Sequence, residues 1–145
     1  MKTYIGIDPG AKGALAILRD GETEVVPYDP EAYITSLGRL KSAESMACVE
    51  KVGAMPGQGV TSMFSFGKNA GFIEGVLQTY GIPFQLVPPQ TWKKEFQLHN
   101  SKQDSVSVCK RLFPNANLLP TEKCRKENDG MAEALLLALY AKRKL

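Results

Sequence analysis

The sequence predicts an α/β fold: a mixed five-stranded sheet, with three antiparallel strands followed by parallel ones, flanked by helices. Three observations predict it. Three short apolar segments joined by tight turns open the chain. Helix and strand signals then alternate. The last third reads as helices and ends in the nearly unbroken apolar run Ala-Leu-Leu-Leu-Ala-Leu.

Residues 3–8, Thr-Tyr-Ile-Gly-Ile-Asp, form a strand closed by an acid, and Pro9-Gly10 break it. Residues 13–18 form a second strand, Asp20-Gly21 is a hairpin turn, and residues 23–26 form a third strand. Residues 30–40 predict a helix, with Pro30 at its first position and Tyr33, Ile34, Leu37 and Leu40 at helical spacing. A short apolar strand over 46–50 ends in Glu50, and the glycine-rich loop 53–62 carries the hydroxyls of Thr61 and Ser62. Residues 63–80 form a long helix stopped by Gly81, and residues 83–87 form the fifth strand. Beyond Pro88-Pro89, residues 90–97 form a short helix containing Trp92. Residues 102–113 form another, capped by Ser101 or Asn100. A loop over 114–121 and a charged run over 122–127 lead into the final helix, 129–144.

Composition narrows the classes. At 145 residues the chain is expected to be a single domain with one real core. Hydrophobic residues at 43% and charged residues at 23% exclude disordered and collagen-like classes. No apolar run approaches the ~20 residues that span a bilayer, and no signal-peptide pattern opens the chain, so no membrane association is expected. Three cysteines, Cys48, Cys109 and Cys124, form no CxxC pair. That argues against a disulfide framework or thiolate zinc site and fits a reducing cytoplasm. The single histidine, His99, leaves no basis for a His triad.

Charge is uneven along the chain. The net charge of +3 splits into −2 over residues 1–90 and +5 over residues 91–145. A basic C-terminal third suits a polyanionic partner such as nucleic acid, although a solvated surface would read the same way.

Four acids stand out. Asp8 and Glu50 lie at the C-terminal ends of predicted strands, the edge of an α/β sheet where ligands bind. Asp129 and Glu133 are four apart at the start of a helix and share a side. Each has an ordinary alternative: a turn residue for Asp8, a surface ion pair for Glu50, a helix cap for Asp129, a solvated face for Glu133. Burial tilts the balance, since Glu50 closes the strand Met-Ala-Cys-Val and Glu133 opens the apolar run. Clustered carboxylates suit hard cations such as Mg²⁺ or Mn²⁺. Two such ions about 4 Å apart stabilise the attacking and leaving oxygens of a phosphodiester displacement.

These residues carry a resemblance. Ile5-Gly6-Ile7-Asp8-Pro9-Gly10, then Gly13-Ala14-Leu15-Ala16, resembles the first strand pair of RuvC-type Holliday junction resolvases. The first motif also occurs in actin-like ATPases and sugar kinases. Val49-Glu50-Lys51-Val52 with Met55-Pro56-Gly57-Gln58-Gly59-Val60 resembles the second acid and its loop in the phage and bacterial branch of that family. Asp129-Gly130-Met131-Ala132-Glu133-Ala134-Leu135 is similar to the C-terminal acidic helix.

The resemblance implies an RNase H-like fold, one nuclease domain over residues 1–145, and a homodimer. It implies nicking of two symmetric strands of a four-way DNA junction, dependent on Mg²⁺ with Mn²⁺ able to substitute, two ions per active site. Asp8, Glu50, Asp129 and Glu133 would be the catalytic metal ligands. In the best-known members the last two acids are three apart and both Asp, whereas here they are four apart and the second is Glu, which leaves open which of Asp129 and Glu133 ligates directly. The resemblance also implies the cytoplasm of a bacterial cell, with a short, phage-like form of the chain.

Around the acids, Lys102, Lys123, Arg125 and Lys126 are candidates for DNA-backbone contact, with Lys110 and Arg111 extending the track. Gln58 and Thr61 offer hydrogen bonds from the glycine-rich loop. Phe64 is a candidate to stack on an unpaired base, whereas Phe66 reads as core. Gly67, Gly71 and Gly75 make a flat helix ridge suited to a dimer mate or to the sheet. Trp92 reads as a core anchor. Three other classes compete: a nuclease of the same fold acting on structured RNA or other branched DNA, a non-catalytic junction-binding protein, and a nucleotide-binding ATPase. The last would need a second lobe that 145 residues do not house.

Overall fold

The structure, a computed structural model, describes residues 2–41, 43–53, 57–98 and 104–145. In chain order the elements are β1 (Thr3–Asp8), β2 (Ala14–Arg19), β3 (Glu22–Pro27), α1 (Pro30–Gly38), β4 (Ser45–Glu50), α2 (Val60–Thr79), β5 (Phe84–Val87), α3 (Pro89–Glu95), α4 (Ser105–Leu112) and α5 (Asp129–Lys144).

The sheet runs β3-β2-β1-β4-β5. β1 pairs antiparallel with β2, and β2 with β3, across a turn in which Asp20 and Gly21 both take positive φ, 52° and 79°. That backbone matches the right-handed twist of the strands it joins. β4 joins β1 in parallel, and β5 joins β4 in parallel. The mixed five-stranded sheet read from the sequence is the one observed.

Residue size decides what packs on each face. Successive strand side chains point to opposite faces. Ile5, Ile7, Leu15, Ile17, Ala47 and Val49 face α1 and α2, where Tyr33, Leu37, Ile73 and Leu77 complete one core. The opposite face carries small residues, Gly6, Ala14, Ala16 and Cys48. Onto this flat surface α5 settles, buried around nearly its whole girth from Gly130 to Ala141. A helix apolar all round is a buried helix. Trp92 and Phe96 of the α3 region and Val108 and Cys109 of α4 close the second core around it.

Most element ends shift by one or two residues from the sequence reading, and two starts shift by three. α2 begins at Val60, three residues early, with the Met63 N–H donating to the Gly59 carbonyl at 3.0 Å. β-branched Val60 and Thr61 read as loop, but a first turn tolerates them because no preceding turn crowds their side chains. α4 begins at Ser105, and the Asp104 carboxylate caps it by accepting from the Ser107 N–H at 2.7 Å. The proposed caps Asn100 and Ser101 lie outside the described residues. Among the described residues no helix is long and apolar enough to cross a membrane.

Candidate active site

Strand parity assembles the site. Tyr4, Gly6 and Asp8 share one face of β1, and Met46, Cys48 and Glu50 share one face of β4, the face α5 covers. Asp8 and Glu50 each stand one residue beyond the Ile7–Val49 pair of the parallel ladder. Two acids therefore end adjacent strands side by side, at the carboxyl edge of the sheet.

α5 supplies the third. Glu133 lies one turn into that helix, and it shares a hydrogen bond with Asp8. The Ser105 hydroxyl donates to Glu133 Oε1 at 3.4 Å, and the Gly10 N–H donates to Asp8 Oδ1 at 3.4 Å. On Glu50, Oε2 accepts from the indole N–H of Trp92 at 2.8 Å. Trp92 itself is fully buried, so it is the core anchor expected, and it also serves a polar role the sequence reading did not foresee.

Electrostatics mark these three as a crowded group. Burial pushes the Glu133 carboxyl up to about 7, and the charges of Asp8 and Glu50 add to it. Burial also raises Asp8, opposed by the Gly10 N–H, the Glu133 hydrogen bond and Lys93. Glu50 is raised by burial and by Asp8, with the Trp92 hydrogen bond and Lys93 opposing. All three carboxylates therefore hold protons more readily than free ones, Glu133 furthest.

Asp129 is exposed at the first helical position. The helix cap is Asn128, whose side chain accepts from the Met131 N–H at 2.8 Å. Asp129 and Glu133 share a side, as their spacing predicts, and both line two adjoining grooves. One groove carries Asp8, Gly10, Lys12 and Phe66; the other carries Lys93, Asp104 and Ser105.

Among the described residues, no three Asp, Glu, His or Cys side chains stand in ready-made metal-ligating geometry. The donor set nevertheless fits a hard divalent cation. Its members are carboxylates raised by burial and mutual repulsion, strain that a cation relieves. The neighbouring Cys48 thiol is buried and pushed up to about 12, first by burial and then by the Glu50 charge, so it stays protonated and offers no soft ligand.

The other candidate residues sit farther out. Gln58 is half-buried ahead of α2, Thr61 is exposed in the first turn of α2, and Phe64 is 70% exposed. Phe66 corrects the sequence reading: it is not core but 38% exposed, with its ring beside Gly10 in the acidic groove. Two residues apart on a helix, Phe64 and Phe66 point about 200° apart. Lys123, Arg125 and Lys126 are exposed in the segment entering α5. Asp104, held low chiefly by the Ser107 N–H, also feels the Lys126 charge. Lys110 pairs with Glu127 at 3.0 Å. Lys102 lies outside the described residues.

Sequence reasoning missed Lys93, whose charge acts on Asp8, Glu50 and Glu133 together. Its only signal was adjacency to Trp92, over whose ring its ammonium stands 5.7 Å from the centroid.

No protein-family model and no curated protein sequence matches the chain. Solved structures do. RuvC of Thermus thermophilus in complex with a Holliday junction substrate superposes with a TM-score of 0.66 at 16% identity, over 99% of this chain and 97% of that one. A second Thermus thermophilus RuvC structure gives 0.64 at 18% identity, over 97% and 96%. The yeast mitochondrial Holliday junction resolvase Ydc2 gives 0.53 at 16% identity, over 92% of this chain and 75% of that one. The chain has the RuvC-type, RNase H-like fold.

Proposed function

We propose that this chain is a structure-selective DNA endonuclease that resolves four-way junctions by paired symmetric nicks. One observation carries the reading. Asp8 and Glu50 end adjacent parallel strands on the face where α5 brings Glu133 into hydrogen-bond contact with Asp8. An oxygen-only acidic centre at an open groove suits phosphodiester hydrolysis. Likeness of fold, along nearly the full length of a RuvC seen on a Holliday junction, supports the substrate class.

In this reading residues 1–145 are one nuclease domain, and Asp8, Glu50 and Glu133, with Asp129 at the rim, hold Mg²⁺ or Mn²⁺. Two bound ions would supply the positive charge that stabilises the attacking and leaving oxygens of the phosphodiester. The chain's own residues do the rest. Gly10 and Trp92 orient the Asp8 and Glu50 carboxylates. The Glu133 proton is given up as a cation is taken on. Lys93 offsets charge at the acids. Lys123, Arg125 and Lys126, with Lys102, hold the phosphate backbone, while Gln58, Thr61, Phe64 and Phe66 meet the splayed strands. A homodimer places one such centre on each of two strands. The bacterial cytoplasm, in a host or phage-encoded setting, is the expected place of action.

The test is cleavage of a labelled, mobile four-way junction in Mg²⁺. It runs beside a linear duplex, a fork, a structured RNA and an Asp8→Asn control. Paired symmetric nicks in the junction alone, lost in Asp8→Asn while binding persists, support the reading. Equal cutting of forks widens it to a general branch nuclease, and preference for RNA overturns it. Junction binding without cleavage in either Mg²⁺ or Mn²⁺ leaves a binding protein.

A further inference from the structure

Trp92 does more than fill space. A fully buried indole N–H needs an acceptor, and here the acceptor is a carboxylate oxygen at the centre of the site. The ring has little freedom. It packs edge-on against Phe96 with centroids 6.5 Å apart, and the α3 that carries it starts at Pro89, directly after Pro88. Glu50 is thus held from the core side through Oε2.

We propose that Trp92 is a positioning residue for Glu50: its N–H fixes one carboxylate oxygen so that the other is presented beside Asp8 to a divalent cation. Trp92 is also the only tryptophan in the chain, so its emission reports the charge on that carboxylate. The proposal rests on the reading that Glu50 serves a bound cation. A purely structural tryptophan would set stability and leave cation affinity alone. A positioning tryptophan sets affinity as well, because groups that orient metal ligands typically carry about 10- to 100-fold in affinity.

The test uses the whole chain and metal ions alone. Binding of Mn²⁺ is followed by loss of the free-ion paramagnetic resonance signal, and the indole emission is followed in Mg²⁺, which does not quench by itself. Two replacements are compared. Trp92→Phe keeps an aromatic ring but shrinks it. Replacing the single tryptophan by benzothienylalanine keeps the ring shape and deletes only the N–H. The expected result is Mn²⁺ binding weakened about tenfold or more in both. Wild-type emission is expected to change saturably at the Mg²⁺ concentration that displaces Mn²⁺. Unchanged Mn²⁺ affinity in the benzothienylalanine protein overturns the proposal, as does wild-type emission unmoved by saturating Mg²⁺. Should Trp92→Phe fail to fold, the isosteric analogue and the wild-type emission still decide. Equal Mn²⁺ binding by wild type and Asp8→Asn is a separate outcome. It removes the metal reading of the site, and the role of Trp92 with it.

Discussion

Gly6 of β1 and Ala134 of α5 meet backbone to backbone. A Cβ on Gly6 would overlap the Ala134 carbonyl oxygen and the Ala138 amide nitrogen. The contact lies two residues from Asp8 on one side and next to Glu133 on the other, so it sets how closely those two carboxylates approach.

Gly6→Ala must therefore lift α5 off the sheet. Overpacking of this kind typically costs about 1–3 kcal/mol. Urea unfolding is expected to show at least that loss. Junction cleavage should fall more than stability does, because Glu133 moves away from Asp8. A variant of wild-type stability would show that the helix does not rest on this strand.

Asp8→Asn, Glu50→Gln and Glu133→Gln are each expected to lower cleavage at least about a hundredfold, the equivalent of about 2.7 kcal/mol in the barrier. Gel-shift binding to the junction should persist. Asp129→Asn, exposed at the groove rim, is expected to cost less than any of the three.

Stability without metal should fall as pH rises. Glu133 titrates near 7 when folded against an ordinary 4.5, so the folded state binds the extra proton between those values. Its contribution is complete below about pH 4.5 and is lost as pH climbs through about 7, on the order of 2 kcal/mol. Thermal midpoints from pH 4.5 to 7.5 check this, and Glu133→Gln should flatten the slope.

Added Mg²⁺ should act in the opposite sense. Cation and proton compete for the same carboxylates, so stabilisation by Mg²⁺ is expected to be larger at pH 8 than at pH 5. At a hundred times the dissociation constant it reaches about 2.7 kcal/mol, and Asp8→Asn should abolish most of it.

The basic segment before α5 makes a different prediction. Replacing Lys123, Arg125 and Lys126 with Ala should weaken junction binding without changing cleavage of the bound fraction. The slope of log affinity against log salt should shrink by about 2–3. An unchanged slope would show that the three cations face solvent and not phosphate.

Much of this was legible from local pattern. The short apolar segments at 3–8 and 13–18, closed by turn signals, carried both strands and placed Asp8 at the end of the first. The apolar run after Glu133 announced a buried helix with an acid at its edge. Other features resisted for physical reasons. Lys93 is one of two adjacent lysines, and only the rotation of α3 decides which faces the acids. Phe66 looked like core because aromatic residues on helices usually are, yet the flat, glycine-bearing turn after β1 leaves its ring in an open groove. The Trp92–Glu50 hydrogen bond links segments forty-odd residues apart in the sequence and left no trace in spacing.

The position of α5 in the chain has a bearing on synthesis. β1 and β4 leave the ribosome early, carrying Asp8 and Glu50, while the small-residue face beneath them stays bare until the final helix arrives. A nascent chain thus holds two acids but neither the third nor the packing that orients them. Under the proposed function, competence to cut would come only when folding is complete, and copies lacking α5 would be inert toward DNA.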